Sequence, residues 1–295
     1  MLLSVIVPLY NKENIVKYCI SSITAQSHKE FEVIIVDDCS DDESVKRVKE
    51  FNDPRIKIIL HDKNKGPTAA RNTGCYEAVG DIICFLDADD VWHPEYMEKI
   101  IDEFKKNKTR GVVYTYYYGG PKWTLEGDYV FKEVLAQGFL CMPSVMSVRA
   151  DVMKRILPLN ESYYHCDDDH MCFELAKLTG FSLVKKELTV MVGSPSSLTR
   201  NRVKTADGFL KLYKDYKVDI LRECGEGQYA MLILKTSSKY IGALEFTEFI
   251  KTYVIAIGFM LRSREFSFRI ISAFFKMPLA GLMQGLNSKW RSFTS

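Results

Sequence analysis

No stretch of the chain's 295 residues reaches the roughly 18 consecutive apolar residues that a membrane-spanning helix needs, so no transmembrane segment is expected. No G-x-x-x-x-G-K-[ST] and no G-x-G-x-x-G occurs, which leaves phosphate cradling by a glycine loop without support. The eight cysteines include no C-x-x-C pair. Cys166 and Cys172 flank His170 at a spacing that fits no common zinc pattern, and buried free thiols in a reducing cytoplasm are the expectation. The apolar start, MLLSVIVPLYN, has no basic stretch and runs straight into a strand-and-turn pattern. It reads as a first β-strand rather than a signal peptide. Repeats and low-complexity segments are also missing.

What is present is an ordinary globular composition, 47% hydrophobic and 26% charged, long enough for one large α/β domain or a domain with an appendage. The net charge of +2 hides a polarity. From Arg200 onward there are 16 Lys/Arg against 8 Asp/Glu, leaving 24 against 30 before it. Over the first 120 residues strand and helix signals alternate. Apolar strands are expected at 3–9, 32–37, 56–60 and 81–86, with helices at 13–25, 43–51, 66–78 and 94–106. Strands apolar throughout and spaced by helices predict a mostly parallel sheet covered on both faces, with ligands beyond the strands' carboxyl ends. The first, second and fourth strands run out into PLYN, DDCSDD and DADD, so polar groups gather at one rim. The region from 111 to about 199 is mixed, with strands at 112–118 and 144–148 and helices at 151–156 and 168–178; 203–286 reads as helical.

Four clusters on this frame carry chemistry. Asp87, Asp89 and Asp90 crowd a strand end, where all-oxygen ligands suit Mg²⁺ or Mn²⁺ better than zinc; a solvated acidic turn capping the next helix is the alternative. Asp37 and Asp38 follow a buried strand and could accept hydrogen bonds from a nucleobase or ribose, or form an Asx-turn with Ser40 and Asp41. Arg71 lies early in a helix of small residues, suited to forked contacts with phosphates or carbonyls, or simply exposed on a packed helix. Asp167, Asp168 and Asp169 open another helix. They are either caps or a source of a general base whose pKa is raised by mutual repulsion.

In this order and register the clusters resemble the family 2 glycosyltransferases, inverting nucleotide-sugar enzymes with the GT-A fold, of the bacterial polysaccharide type. The matching stretches are SVIVPLYNKE (4–13), VIIVDDCSDD (33–42), NKGPTAARNTG (64–74), DIICFLDADD (81–90) and the acidic helix start at 167–178, covering about two-thirds of the chain. The resemblance implies a Rossmann-like α/β catalytic domain over 1–200, its nucleotide-sugar half at 1–110 and its acceptor half at 111–200, followed by a helical region over 201–295. It implies that Tyr10 stacks on the base and Asp38 hydrogen-bonds it, within a donor site of Pro8, Tyr10, Asn11, Glu13, Asp37, Asp38, Arg71 and Asp87. It places a divalent Mn²⁺ or Mg²⁺ on Asp89, with Asp87 shared between metal and ribose. Asp168 becomes the catalytic base, with Asp167 beside it on the acceptor side; Asp90 is left without a role. The donor is expected to be a UDP-sugar and the acceptor a hydroxyl of a saccharide or polyprenyl-linked saccharide. Departures fall mostly on the acceptor side: Glu174 stands where many members have Arg, and 190–199 lacks a basic residue before its Ser-Leu pair. Cys39 replaces a more usual Gly, Ser or Asn.

From Phe249 to the end there are seven Lys/Arg and one acid among large apolar residues. This composition suits the anionic inner face of the plasma membrane, and it suits equally a cap on the catalytic domain or a homodimer contact. Its aliphatic and aromatic content argues against nucleic acid. Two rival activities are a sugar-nucleotide pyrophosphorylase, which needs a glycine-rich signature absent after the first strand, and a catalytically silent nucleotide-sugar-binding protein.

Overall fold

The first strand, β1 (Leu3–Leu9), is apolar and β-branched, and buried along almost its whole length. In a computed structural model it lies between two parallel neighbours, β2 (Phe31–Asp37) and β4 (Ile82–Phe85). The structure describes residues 1–137, 142–192, 201–243 and 245–263, together with 276 and 278. β2 pairs in parallel with β3 (Ile56–Leu60), whose half-exposed pattern and protruding Leu60 mark a sheet edge. Helices α1 (Val16–Thr24), α2 (Ser44–Lys49) and α3 (Pro67–Glu77) make the crossovers. This is the parallel half that the alternating pattern predicts, and it sets the carboxyl ends of β1, β2 and β4 side by side at one rim.

The other half is mixed. A three-residue strand, β5 (Asp90–Trp92), precedes α4 (Tyr96–Lys106) and β6 (Val112–Tyr117). Then come α5 (Phe131–Gln137), β7 (Met146–Arg149), α6 (Ala150–Lys154), α7 (Asp167–Leu178) and the long β8 (Phe181–Met191). The sheet order is β3-β2-β1-β4-β7-β6-β8-β5. β7 runs antiparallel to both β4 and β6, β8 parallel to β6, and β5 antiparallel to β8. The expected strand at 144–148 starts only at Met146, because Pro143–Val145 forms a 3₁₀ turn. α1 begins three residues later than the apolar spacing suggests, because Glu13 is held by the neighbouring loop. β5, α5 and β8 were not expected from the periodicity. β5 is too short to show a period, and Lys185 and Lys186 interrupt the apolar run of β8.

The main core cluster joins Val5, Val7 and Leu9 of β1, Ile20 and Ile23 of α1, and Met97, Ile100 and Phe104 of α4. Trp92 and Tyr96 stack within it at 4.0 Å between centroids. The chain divides into two compact units, one formed by Met1–Val134 with Phe139–Pro195 and one by Leu135–Gly138 with Ser196–Ser295. In the second, α8 (Arg202–Asp215) is capped by Asn201, whose side chain accepts the Lys204 N–H. α9 (Lys217–Gly242) is kinked at Gly225, where φ is 83°, and α10 (Phe246–Arg262) packs on it through Tyr229 and Phe259. Among the described residues no helix is long and apolar enough to cross a membrane. The expected helix beyond 263, apart from 276 and 278, and the segment 193–200 with its Ser-Leu pair lie outside the described residues.

Candidate active site

The loops after β1 and β2 are laced together. Asn11 sits at φ 51° and Cys39 at φ 65°, turning both chains sharply at the rim. Across the gap the Asn11 N–H donates to Ser40 Oγ, Asp41 N–H to Asn11 Oδ1, Lys12 N–H to Ser44 Oγ, Glu13 N–H to Asp42, and Glu43 N–H to Glu13. Burial would raise the Asp42 carboxyl, but the Ser44 hydroxyl and then the Glu13 and Ser44 N–H groups hold it below its usual range. Asn11 and Glu13 therefore shape the rim through their own hydrogen bonds. Pro8 lies within β1, paired with Val36, while Tyr10, just past the strand, keeps 45% of its surface exposed.

Asp37 and Asp38 are both buried. Asp37 accepts the Ser40 N–H in the Asx-turn arrangement, and its other oxygen, Oδ1, has no hydrogen-bond partner among the described residues. Asp38 accepts the N–H groups of Lys65 and Gly66 at 2.9 and 2.7 Å and a bond from His61 Nδ1 at 2.7 Å. His61 Nε2 in turn meets Thr73 Oγ1 at 2.9 Å. This carboxylate so fixes the loop that opens α3 and still keeps one lone pair on Oδ2. His61 was not singled out in the sequence; a histidine one residue past the third strand is the only hint.

Arg71 is the hub. It is buried on α3, and its Nη2 reaches Asp87 Oδ1 at 2.9 Å while Nη1 reaches Asp167 Oδ2 at 2.5 Å and lies 3.6 Å from Asp168 Oδ1. Thr68, one turn earlier, donates to the same Asp167 oxygen at 3.0 Å. Burial would lower the Arg71 pKa, but Asp87, Asp167 and Asp168 together raise it, so the guanidinium stays charged. Asp167 and Asp168 open α7, whose N-cap, Cys166, makes no side-chain cap bond. Burial raises the Asp167 carboxyl, with Arg71 opposing. Burial and the neighbouring Asp167 charge push Asp168 well above the ordinary carboxylate range, though 27% of its side chain stays exposed. The alternative of an exposed Arg71 is excluded by its burial, and the structure joins three of the four clusters through one side chain.

The DADD stretch makes a tight turn, with Asp90 N–H donating to Asp87 C=O. Ser144 anchors it. Its hydroxyl accepts the Asp87 N–H, and its carbonyl accepts from Trp92 Nε1 and Thr189 Oγ1. Asp90 begins β5, and burial followed by the Asp87 charge pushes its carboxyl up to about 7. It belongs to the frame rather than the surface of the site. Asp89 pairs with Lys12 Nζ at 2.7 Å.

Among the described residues no group of three or more His, Cys, Asp or Glu is placed to hold a metal ion. Asp87 and Asp89 therefore offer two carboxylates, each with one oxygen engaged by a cation of the chain. That donor set fits Mg²⁺ or Mn²⁺ held jointly with phosphate oxygens rather than in an all-protein cage. Cys166, Cys172 and His170 likewise form no metal group; His170 stacks on Tyr163 at 4.2 Å.

Comparison with known proteins agrees with this geometry. The model of Glycosyl transferase family 2 matches residues 4–140. An Escherichia coli relative, the UDP-Glc:alpha-D-GlcNAc-diphosphoundecaprenol beta-1,3-glucosyltransferase WfgD, is 30% identical over 185 residues, covering 62% of this chain and 73% of WfgD. Two Rickettsia glycosyltransferases are matched over 32% of their own length, so the chain spans about a third of them. Among solved structures, Staphylococcus aureus TarS 1–349 in complex with UDP-GlcNAc aligns with a TM-score of 0.65 at 17% identity, covering 99% of this chain and 92% of that one. The mannosyltransferase PcManGT from Pyrobaculum calidifontis, in complex with GDP-Man and Mn²⁺, aligns at 0.63 and 16% identity, covering 96% and 84%. These likenesses establish the GT-A-type α/β fold. With the rim of acids and Arg71 in place on that fold, the chain belongs to glycosyl transferase family 2 and is a glycosyltransferase.

Proposed function

We propose that the protein is an inverting enzyme that moves a sugar from a UDP-sugar to a hydroxyl of a lipid-linked saccharide in cell-surface polysaccharide assembly. The observation that carries this is Arg71, which binds Asp87 of the donor rim and Asp167 of α7 with one guanidinium. Donor-side and acceptor-side carboxylates are thereby held a single side chain apart. Tyr10 offers its exposed ring to the base, and Asp38 and Asp37 offer it carboxylate oxygens. Asp168, its proton affinity raised by burial, takes the proton of the attacking hydroxyl. Attack on the face opposite the leaving diphosphate inverts the anomeric carbon through an oxocarbenium-like transition state. A divalent cation on Asp87 and Asp89 would supply charge neutralisation for the departing diphosphate.

WfgD, whose name specifies UDP-Glc and a diphosphoundecaprenol acceptor, supports the choice of donor and acceptor class. The exposed Ile250, Val254 and Leu261 of α10 support a peripheral membrane contact through 249–295. The test is transfer from a panel of UDP-sugars to a polyprenyl-diphosphate-linked sugar by purified protein with Mn²⁺, together with Asp168→Asn. The variant should bind UDP as the parent does and lose at least about 100-fold in turnover. Unchanged turnover removes Asp168 as the base, and absence of both donor binding and transfer across the panel removes the reading.

A further inference from the structure

Lys12 stands in the turn after β1, between Asn11 and Glu13. Its backbone is fixed from three sides. Its N–H donates to Ser44 Oγ at 2.7 Å, its carbonyl accepts from Ile15 and Val16, and Asn11 before it is locked at positive φ. Its ammonium contacts Asp89 Oδ2 at 2.7 Å, with only 16% and 15% of the two side chains exposed. Exposed pairs on this protein, such as Lys46 with Glu43, keep 64% and 45%. Lys12–Asp89 is thus a sheltered ion pair made across 77 residues of chain by a fixed turn.

The pair lies on one of the two carboxylates proposed above to hold a cation. Two cationic side chains already balance the two partly accessible acids of the DADD stretch: Arg71 takes Asp87 and Lys12 takes Asp89. A divalent ion arriving at Asp89 meets an ammonium on the same carboxylate and must displace it or bear its repulsion. Arg71 cannot yield, being buried and tied to three carboxylates. Lys12 can, because a lysine is a point charge on a flexible four-carbon stem and a ready partner for phosphate oxygens. A nucleoside diphosphate supplies such oxygens at this rim.

We propose that Lys12 is a resident cation that blocks Asp89 until a diphosphate draws its ammonium away, so that metal and nucleotide bind with positive coupling. The inference rests on the donor-site reading above but requires no sugar transfer. Binding is an exchange of ion pairs in which no covalent bond changes. Coupling of this kind is reciprocal: UDP tightens the metal by the factor by which the metal tightens UDP.

The test is Mn²⁺ binding to the full chain, read by electron paramagnetic resonance of free Mn²⁺ and corrected for Mn²⁺ bound by UDP alone. The parent should bind Mn²⁺ weakly without nucleotide and about 10-fold or more tightly with UDP, whereas uridine should have no such effect. Lys12→Gln should tighten nucleotide-free Mn²⁺ by about 10-fold while weakening UDP, and Lys12→Arg should behave as the parent. Asp89→Asn should abolish the tightening in each background. Equal nucleotide-free affinity in parent and Lys12→Gln, or an effect of uridine equal to that of UDP, overturns the proposal. The uridine comparison needs only the parent, so it decides even if Lys12→Gln fails to fold. Loss of sugar transfer with these Mn²⁺ shifts intact would overturn the functional reading alone. Absence of Mn²⁺ binding in every arm would overturn the Lys12 proposal and the metal role, leaving donor binding to be judged separately.

Discussion

The carboxylate of Asp38 accepts the Gly66 N–H at 2.7 Å, joining the end of β2 to the first turn of α3 across 28 residues of sequence. The same side chain holds Lys65 N–H and His61. Asp38→Asn puts an amide where three donors converge. It should destabilise the fold by about 1–3 kcal/mol, seen as a lower urea midpoint with unchanged slope.

Gly66 itself admits no side chain. Its φ is 92°, and a Cβ there would run into the Tyr164 ring. Gly66→Ala should cost about 1–3 kcal/mol and displace Tyr164. Thermal unfolding reads the first effect, and Tyr164→Ala in the same background should recover part of it. Full additivity of the two substitutions would show that ring and Cβ do not meet.

Arg71 should tolerate no conservative exchange. A lysine ammonium in its place cannot fork between Asp87 and Asp167, so Arg71→Lys should lower turnover about 100-fold with the fold retained. Arg71→Met leaves Asp87, Asp167 and Asp168 without their cation and should cost about 3–5 kcal/mol in denaturant unfolding.

The raised proton affinity of Asp168 has opposite effects on activity and stability. As the base it must be ionised, so kcat/KM should rise with pH through a limb above the ordinary carboxylate range. Removing Arg71, which lowers that pKa, should move the limb to higher pH. In unfolding, the native chain keeps this proton after the unfolded chain has lost it. Stability therefore falls as pH climbs from the unfolded carboxylate value toward the raised native one, and levels off above. Asp168→Asn should remove the activity limb and lessen the fall in stability, leaving the parts due to Asp167 and Asp90.

The thiols divide by burial. Burial pushes Cys75 and Cys84 up to about 12 and Cys19 well above its usual value, whereas Cys39 is exposed at the rim. Iodoacetamide at pH 8 should label native Cys39 at least about 100-fold faster than those three, read by peptide mass spectrometry. Protection of Cys39 by UDP would locate the nucleotide beside it.

Local patterning made the parallel half readable. The runs LSVIVPL, EVIIVD, IKIIL and DIICFL fall on β1 to β4 within a residue or so, because a strand buried on both faces is apolar throughout. The rim followed from that, since three such strands end in polar loops. Hidden from the sequence were the pairings across long separations. Nothing local ties Ser144 to Asp87, Thr68 to Asp167 or Lys12 to Asp89, and each is fixed only when distant strands are brought together. Charge balance left only the general trace that crowded acids need cations; Lys12 and Arg71, 77 and 16 residues away from Asp89 and Asp87, become those cations only in the fold.

The sheet order also constrains the acidic turn mechanically. β4 ends at Phe85 and β5 begins at Asp90, yet β7, β6 and β8 separate them in the sheet. With neighbours about 4.8 Å apart, a flat sheet would hold β4 and β5 about 19 Å from each other. Five residues at full stretch span at most about 18 Å, and this segment is folded into a turn. The far half of the sheet must therefore curl until its last strand returns to β4. Residues 86–89 are the clasp that closes the curl, so lengthening them would loosen the curvature of five strands as well as move two carboxylates.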